Sequence, residues 1–382
     1  MDTITIFSIA MAIFGLALFS GLPIAISIGL STLVALSLSD ISISLIAQLS
    51  FSALDSFTYL AIPLFILSGF LMESGGISRR IVNFAMAFVG KVDGGLGIVT
   101  VLSCMFFAAI SGSSPATVAA IGAMMVPAMT AKKYDVHFAG ALTASAGSLG
   151  ILIPPSIPMI IYAVTANISI GDMFLAGFVP GALIGAALML TVYIISKKRG
   201  YKGGDQAFSV SNCWHSFVDA KWALLVPIII LGGIYSGIFT ATEAACIAVI
   251  YAMVIGLFVH KEFTFGELPD IIYKAAITTG SVIVILGFAT AFSRYLTISQ
   301  IPQSVSKIIL SYTDSKLVIL MIFVVMIMIT GMFMETAAQI LIYTPLFLPI
   351  LMKLGVSPFH FGIILIVGTE LALITPPVGV NL

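Results

Sequence analysis

Apolar runs fill this chain almost from end to end, and they are punctuated by Gly, Pro and Ser more than by charge. A spanning helix needs roughly 20 apolar residues, so the longer run Ile4–Leu38 splits at Gly21-Leu22-Pro23 into two helices. A polar connection comes next, with Asp40, Ser42, Ser44, Gln48 and Asp55. The segment after it, Tyr59–Met72, closes at Glu73-Ser74-Gly75-Gly76, and another runs past Arg79 and Arg80 to Lys91. Phe106–Pro127 reads FFAAISGSSPATVAAIGAMMVP. It puts Ser111, Gly112, Ser113, Ser114, Pro115 and Thr117 in the middle of a stretch otherwise suited to lipid. Lipid offers no hydrogen bonds to backbone freed by Gly or Pro, so irregular backbone persists there only where protein or a water-filled cavity satisfies it. The stretch predicts a re-entrant helical hairpin that enters after Gly94-Gly95 and leaves at Lys132-Lys133, with a tip that helps form a binding site.

From His137 to Val164 the chain is interrupted at Gly147, Gly150, Pro154, Pro155 and Pro158, the pattern of a helix broken at mid-depth. Ile170–Ser196 is a further span ending in Lys197, Lys198, Arg199 and Lys202, and Gly200–Lys221 is the only sizeable polar linker. The second half of the chain repeats the first. Leu67-Ser68-Gly69-Phe70 is echoed by Leu286-Gly287-Phe288, Ser111-Gly112 by Thr330-Gly331, Pro127 by Pro345, and Pro154-Pro155 by Pro376-Pro377. All of these lie about 220 residues apart. Ordered weak repeats of this kind are the signature of secondary transporters.

Positive charge orients the copies. With Arg79, Arg80, Lys91, Lys132 and Lys133 cytoplasmic, the cluster Lys197–Lys202 also falls inside. The crossings Trp222–Phe239 and Glu243–Val259 then return His260 and Lys261 to that side. A span over Ala275–Phe292 leaves Lys307, Lys316 and Lys353 outside. A second hairpin, Leu317–Leu351, therefore enters from the opposite face with its tip at Gly331-Met332-Phe333-Met334-Glu335-Thr336. The expected fold is an all-α polytopic membrane protein with an inverted-topology repeat, two re-entrant helical hairpins and two broken helices. By the same symmetry a further segment is expected beyond Leu382.

Composition agrees with a membrane protein: 60% hydrophobic residues, 8% charged and a mean hydropathy of +1.19. The runs allow on the order of ten crossings plus some half-crossings. Met1-Asp2-Thr3 lacks the basic start of a secretory signal and reads as the beginning of an uncleaved first helix. Cys104, Cys213 and Cys246 are far apart and make no metal-ligand spacing with His137, His215, His260 or His360. Zero formal net charge and the lack of a long basic tract give no sign of nucleic-acid binding.

Hairpin tips and broken helices expose carbonyl oxygens beside Ser and Thr hydroxyls, which suits Na+. Half-helix N-termini near Ser114 and Thr336 would present N–H groups to an anion. The alternative is that Ser and Gly here only permit close helix packing. An intramembrane charge costs about 2.5–3.5 kcal/mol at a helix centre on insertion scales, so each needs a reason. Glu335 and Glu370 could polarise a cation site or hydrogen-bond the hairpin backbone. Glu243 begins a helix and reads as a cap. Arg294 lies toward the end of its span, where it either snorkels, pairs locally or meets a substrate carboxylate. No nucleophile–base pair or nucleotide loop accompanies these groups, so an enzyme is not expected.

The segments LDSFTYLAIPLFILSGFLMESGGI, AISGSSPATVAAIGAMMVP, GILIPPSIPMIIYA, GIFTATEAA, GMFMETAAQILIYTPLFLPI and ITPPVGVNL together resemble the large membrane subunit of tripartite ATP-independent periplasmic (TRAP) transporters, over essentially the whole chain. The resemblance implies Na+-driven import of an organic acid, such as a C4-dicarboxylate or sialic acid, across the bacterial cytoplasmic membrane by an elevator motion. It also implies a separate small four-helix membrane subunit and a periplasmic substrate-binding protein. Residues 1–199 would form the first repeat, with scaffold helices in 1–56, a hairpin-bearing transport part in 57–166 and the span 170–196. Residues 200–221 would be a cytoplasmic linker. Residues 222–382 would form the second repeat, with scaffold in 222–260 and transport part in 275–382. One Na+ site would be built from Ser111, Gly112, Ser113 and Ser114 with Gly150, Ile153 and Pro155. The other would take Gly331, Glu335 and Thr336 with Thr369, Thr375 and Pro377. Substrate would lie between the tips, near Ser113, Ser114, Thr117, Pro154 and Thr336, with Arg294 a further contact outside any family motif. Two other readings stay open: a stand-alone cation-coupled carboxylate carrier, and an ion channel or structural membrane partner.

Overall fold

The first apolar run turns where Gly and Pro interrupt it. Gly21 takes a φ of +85°, separating α1 (Thr3–Phe19) from α2 (Ile24–Leu38). The computed structural model describes residues 2–55, 57–89, 92–203, 209–313, 315–376 and 379–382. Lys91, Pro377 and linker residues 204–208 lie outside that set. The chain continues through α3 (Ser44–Leu54), α4 (Ala61–Ser74), α5 (Ile77–Val89), α6 (Gly95–Ser111), α7 (Ser114–Ala131), α8 (Val136–Gly147), α9 (Ile157–Thr165) and α10 (Ile170–Arg199). Then come α11 (Val210–Tyr235), α12 (Ala241–Val254), a π-helical turn over Ile255–His260, α13 (Leu268–Ile298) and α14 (Ile301–Tyr312). Last are α15 (Lys316–Gly331), α16 (Thr336–Lys353) and α17 (Pro358–Leu373). The described residues contain no strand.

Three helical stretches fall where polarity predicts connections: α3, α14 and the first half of α11. Each mixes apolar and polar residues, so mean hydropathy hides it. α11 begins at Val210, so Asn212, His215 and Asp219 of the expected linker are already helical. Glu243 behaves as expected. Its N–H donates to the Thr240 hydroxyl at 3.3 Å, and its carboxylate accepts the Thr240 N–H at 2.8 Å, closing a capping box at the start of α12.

Contacts divide the chain into two compact units. The first contains Met1–Leu60, Ile161–Ser169 and Ile277–Ala372. Within it α1 and α2 pack as a pair, and the buried Ser31 hydroxyl donates to the Ala10 carbonyl at 2.7 Å. Phe323 on α15 stacks against Phe347 on α16 and Phe361 on α17, with ring centroids 4.9 and 4.8 Å away, which fixes the second hairpin against the helix after it.

The second unit contains Ala61–Ile160, Ile170–Ala276 and Leu373–Leu382, and the first hairpin forms its core. Phe107 and Cys104 of α6, Ile121 and Met125 of α7, Ala146 of α8 and Val192 of α10 are all buried together. The base of this hairpin is pinned to the end of α10. Gly94 donates its N–H to the Tyr201 carbonyl at 3.0 Å, and Tyr134 donates its hydroxyl to the Lys202 carbonyl at 2.8 Å. Tyr134 and Tyr201 stack with centroids 4.4 Å apart. Burial, with Asp93 and Tyr201 nearby, pushes the Tyr134 phenol up to about 12, so it remains a neutral donor at neutral pH. Lys132, Lys133 and Lys197–Lys202 thus gather at one end of the unit, as the charge pattern requires.

That grouping extends to α5. Arg79 and Arg80 both reach Glu262, at 2.7 and 2.9 Å, and Arg80 also lies 3.6 Å from Asp219 of α11. The Arg80 side chain is only 12% exposed, whereas that of Arg79 is 62% exposed. A hydrogen bond to a charged group contributes about 1.5–3 kcal/mol when shielded, and exposed pairs contribute about 0–1 kcal/mol. Glu262→Gln is therefore expected to destabilise the protein by about 1–2 kcal/mol, seen as a clear fall in Tm, while Arg79→Gln shifts it little. Equal shifts in thermal unfolding would show that Glu262 does not act mainly on Arg80.

Candidate functional site

α6 has 17 residues and so spans about 25 Å, less than the roughly 30 Å hydrocarbon core. With its base at the charged end, the tip of the first hairpin lies inside the membrane thickness. There the helix stops because Gly112 adopts φ +60° and Ser113 is extended, before α7 restarts at Ser114 with Pro115 in its first turn. The turn is held by its own polar groups. Thr117 donates its hydroxyl to the Ser113 carbonyl at 2.7 Å, and the Ser111 and Thr117 hydroxyls lie 3.0 Å apart.

The broken helix closes over this tip. α8 gives way to a 3-10 turn at Ser148–Ile151, and the chain passes through a cis Pro154–Pro155 bond before α9. Ile157 donates its N–H to the Gly112 carbonyl at 3.2 Å, and Ser156 donates its hydroxyl to the Ile151 carbonyl at 2.5 Å. Gly150 meets the tip so closely that a Cβ there would sit 2.6 Å from the Ser113 oxygen, 2.7 Å from Thr117 Oγ1 and 2.8 Å from Ser114 Cα. Ser111, Gly112, Ser113, Ser114, Thr117, Gly150 and Pro155 therefore form one cluster, and Pro154 immediately precedes Pro155 in the break. Ile153 belongs to the same break, with its side chain against Gly181 of α10.

Two residues that the sequence did not assign to a site complete this tip. A Cβ on Gly69 of α4 would lie 3.5 Å from the Ser111 carbonyl oxygen, so the LSGF motif gives α4 its close approach. Asn381, 2% exposed, donates its amide to the Ser114 hydroxyl at 2.7 Å, while its own Oδ1 has no hydrogen-bond partner among the described residues. A lone Asn inside ITPPVGVNL was the available signal, since an amide in an apolar segment needs a partner.

In the first unit, α15 ends at Gly331, a turn over Met332–Met334 comes next, and Glu335 precedes the first residue of α16, Thr336. A Cβ on Gly331 would run into the Ala372 methyl of α17 and lie 2.7 Å from Gln339 Nε2. Thr369 lies three residues before Ala372 and so shares the helix face that meets this tip. Its hydroxyl donates to the Ile366 carbonyl at 2.8 Å. Gln339 was also missed. It is fully buried one turn into α16, donates to the Met334 carbonyl at 3.3 Å and leaves Oε1 without a partner among the described residues. The structure brings Gly331, Glu335, Thr336 and Thr369 into one unit, whereas Thr375 groups with the other unit. Glu370 is buried, and Arg294 is exposed on α13 and takes part in none of the ion pairs among the described residues.

Seven helices among the described residues are long and apolar enough to cross a membrane. Apolar helices paired into hairpins with non-helical tips, the first succeeded by a helix that breaks over residues 148–156, define a secondary-transporter architecture. The fold is similar to that of the Alcanivorax borkumensis YdaH transporter, whose crystal structure was described as having an unusual topology. The TM-score is 0.63 at 17% identity, covering 88% of this chain and 78% of that one. Residues 11–382 match the family described as the tripartite ATP-independent periplasmic transporter, DctM component, and the chain belongs to that family. It is 48% identical over 328 residues to the isethionate TRAP transporter permease protein DctMQ of Oleidesulfovibrio alaskensis, covering 86% of this chain and 52% of that protein. It thus spans about half the length of that relative. It is 44% identical over 328 residues to the C4-dicarboxylate TRAP transporter large permease protein DctM of Pseudomonas aeruginosa, covering 86% of this chain and 77% of that protein. The protein is accordingly a multi-pass component of a transporter in the bacterial cytoplasmic membrane.

The fit at Gly150 supplies a direct test. Gly150→Ala sets a methyl against backbone atoms that cannot rotate away, at an expected cost of about 1–3 kcal/mol and with loss of transport. Gly140→Ala on α8, with nothing within 4 Å, serves as the neutral control. Matching Tm and transport rates for the two variants would mean that the tip and the break are not tightly interlocked.

Proposed function

We propose that this chain is the large membrane component of a Na+-coupled importer of a small organic acid, working with a small four-helix membrane subunit and a periplasmic substrate-binding protein. The observation that carries the reading is the interlocked tip of the first hairpin, where the Ser111 and Thr117 hydroxyls, the Ser113 carbonyl and Gly150 converge inside the second unit. This donor set consists of oxygens, which suit a hard cation and not a soft metal. Ser111, Gly112, Ser113 and Ser114 with Gly150, Ile153 and Pro155 are proposed to hold one Na+. Gly331, Glu335, Thr336 and Thr369 of the first unit are proposed for a second. Each tip begins a helix whose first N–H groups favour an anion, so Ser113, Ser114, Thr117 and Pro154 in the second unit are proposed as substrate contacts, and Thr336 and Arg294 in the first unit are separately proposed as candidates.

The names of the relatives point to small organic anions, isethionate in one and C4-dicarboxylates in another. Each Na+ moving down a membrane potential supplies about 2.3 kcal/mol per 100 mV, so one or two ions would concentrate an acid substantially. The crossing order read from the sequence, which brings the second hairpin in from the face opposite the first, supports an inverted repeat and, with it, an elevator-type mechanism.

Uptake of labelled isethionate or succinate into proteoliposomes carrying this chain, the small subunit and the binding protein is expected to require a Na+ gradient. Ser111→Ala with Ser113→Ala should shift the Na+ dependence at least about fivefold, the loss of roughly 1 kcal/mol of coordination, while Tm changes little. An unchanged Na+ response in the double variant would rule out hydroxyl coordination at the first tip. Uptake indifferent to the binding protein would instead favour a stand-alone carrier, and conduction without saturable uptake would favour a channel.

A further inference from the structure

A cavity of about 870 Å³ opens beside the base of the first hairpin, at the end of the hairpin away from the tip. Its wall on α11 is a polar stripe of Asn212, His215, Ser216 and Asp219, at spacings that place all four on one face of the helix. Lys132, at the end of α7, and Asn83, on α5, complete the polar part. The remaining wall is apolar, formed by Met86 of α5 with Leu96 and Val99 of α6. Hence the cavity has two chemically distinct halves. One offers an ammonium group, an imidazole, two carboxamides and a hydroxyl, and the other offers hydrocarbon and the Met86 thioether. The carboxylate in the polar half, Asp219, lies 3.6 Å from Arg80.

The neighbouring side chains fix the depth. On α11, Trp214 and Phe217 are 64% and 41% exposed, and Lys221 sits over the Trp222 ring at 5.1 Å. Exposed aromatic rings next to lysines mark the headgroup level of a membrane helix. The same end of the unit carries Arg79, Arg80, Lys132, Lys133 and Lys197–Lys202. Basic pockets between membrane helices at this level suit anionic lipid headgroups. A free phosphate would have no use for the apolar half, and a zwitterionic lipid would bring its ammonium group toward a basic rim.

We propose that this cavity binds an anionic phospholipid, with its phosphate held by Lys132, His215, Asn212 and Asn83 and an acyl chain laid along Met86, Leu96 and Val99. The site rests on the membrane placement of the second unit and not on the Na+ reading. A lipid bound there would touch α5, both arms of the first hairpin and α11 at once.

The test is native mass spectrometry and thermal unfolding of the full chain in detergent, with phosphatidylglycerol, phosphatidylcholine or inorganic phosphate added separately. Phosphatidylglycerol is expected to be retained at least about fivefold more than phosphatidylcholine and to raise Tm, with inorganic phosphate giving no rise. Lys132→Gln with His215→Gln should remove that preference. Met86→Trp, which fills the apolar half without touching a donor, should weaken retention of both lipids and keeps the test open if the double variant folds poorly. Equal retention of the two lipids, a preference that survives the double variant, or a Tm rise with inorganic phosphate alone would each overturn the proposal.

Discussion

The unusual features of this chain trace to one constraint: backbone polar groups inside a membrane must find partners within the protein. At the first hairpin tip the helix is interrupted and the loose groups are recaptured. The Gly112 carbonyl takes the Ile157 N–H, and the Ser113 carbonyl takes the Thr117 hydroxyl. The glycines serve this recapture. Gly112 supplies the left-handed turn, while Gly150 and Gly69 let neighbouring backbone come within reach. The outcome is a rigid, oxygen-lined break in place of a hole in the bilayer.

Both hairpins and the first broken helix were legible in the sequence for the same reason. Glycine, serine and proline in the middle of an apolar run have few structural meanings, and the echo at about 220 residues located the second copy. The expected tips fall on the observed ones, Gly112–Ser113 in one hairpin and Met332–Glu335 in the other. Less legible were α3, α14 and the start of α11, whose mixed faces average to the polarity of a loop. Their helicity depends on packing, which no window of composition measures.

The polar groups that complete the tips were the hardest to read. Gln339 sits one turn beyond its own tip, outside the motif that drew attention to Glu335 and Thr336. Asn381 reaches Ser114 across 267 residues of sequence, and no local spacing can announce such a pairing. Hydrophobic pattern locates where backbone must be irregular. Side-chain partners come from the fold.

The Asn381–Ser114 hydrogen bond also bears on biogenesis. Ribosomes add about 5–20 residues per second, so Ser114 leaves the tunnel on the order of tens of seconds before Asn381 does. Throughout that interval the Ser114 hydroxyl lacks this partner, whereas the tip carbonyls of Ser113 and Gly112 gain theirs as soon as Thr117 and Ile157 are made. A segment made long after the first hairpin is thus the one that seals it, and synthesis order and assembly order part company.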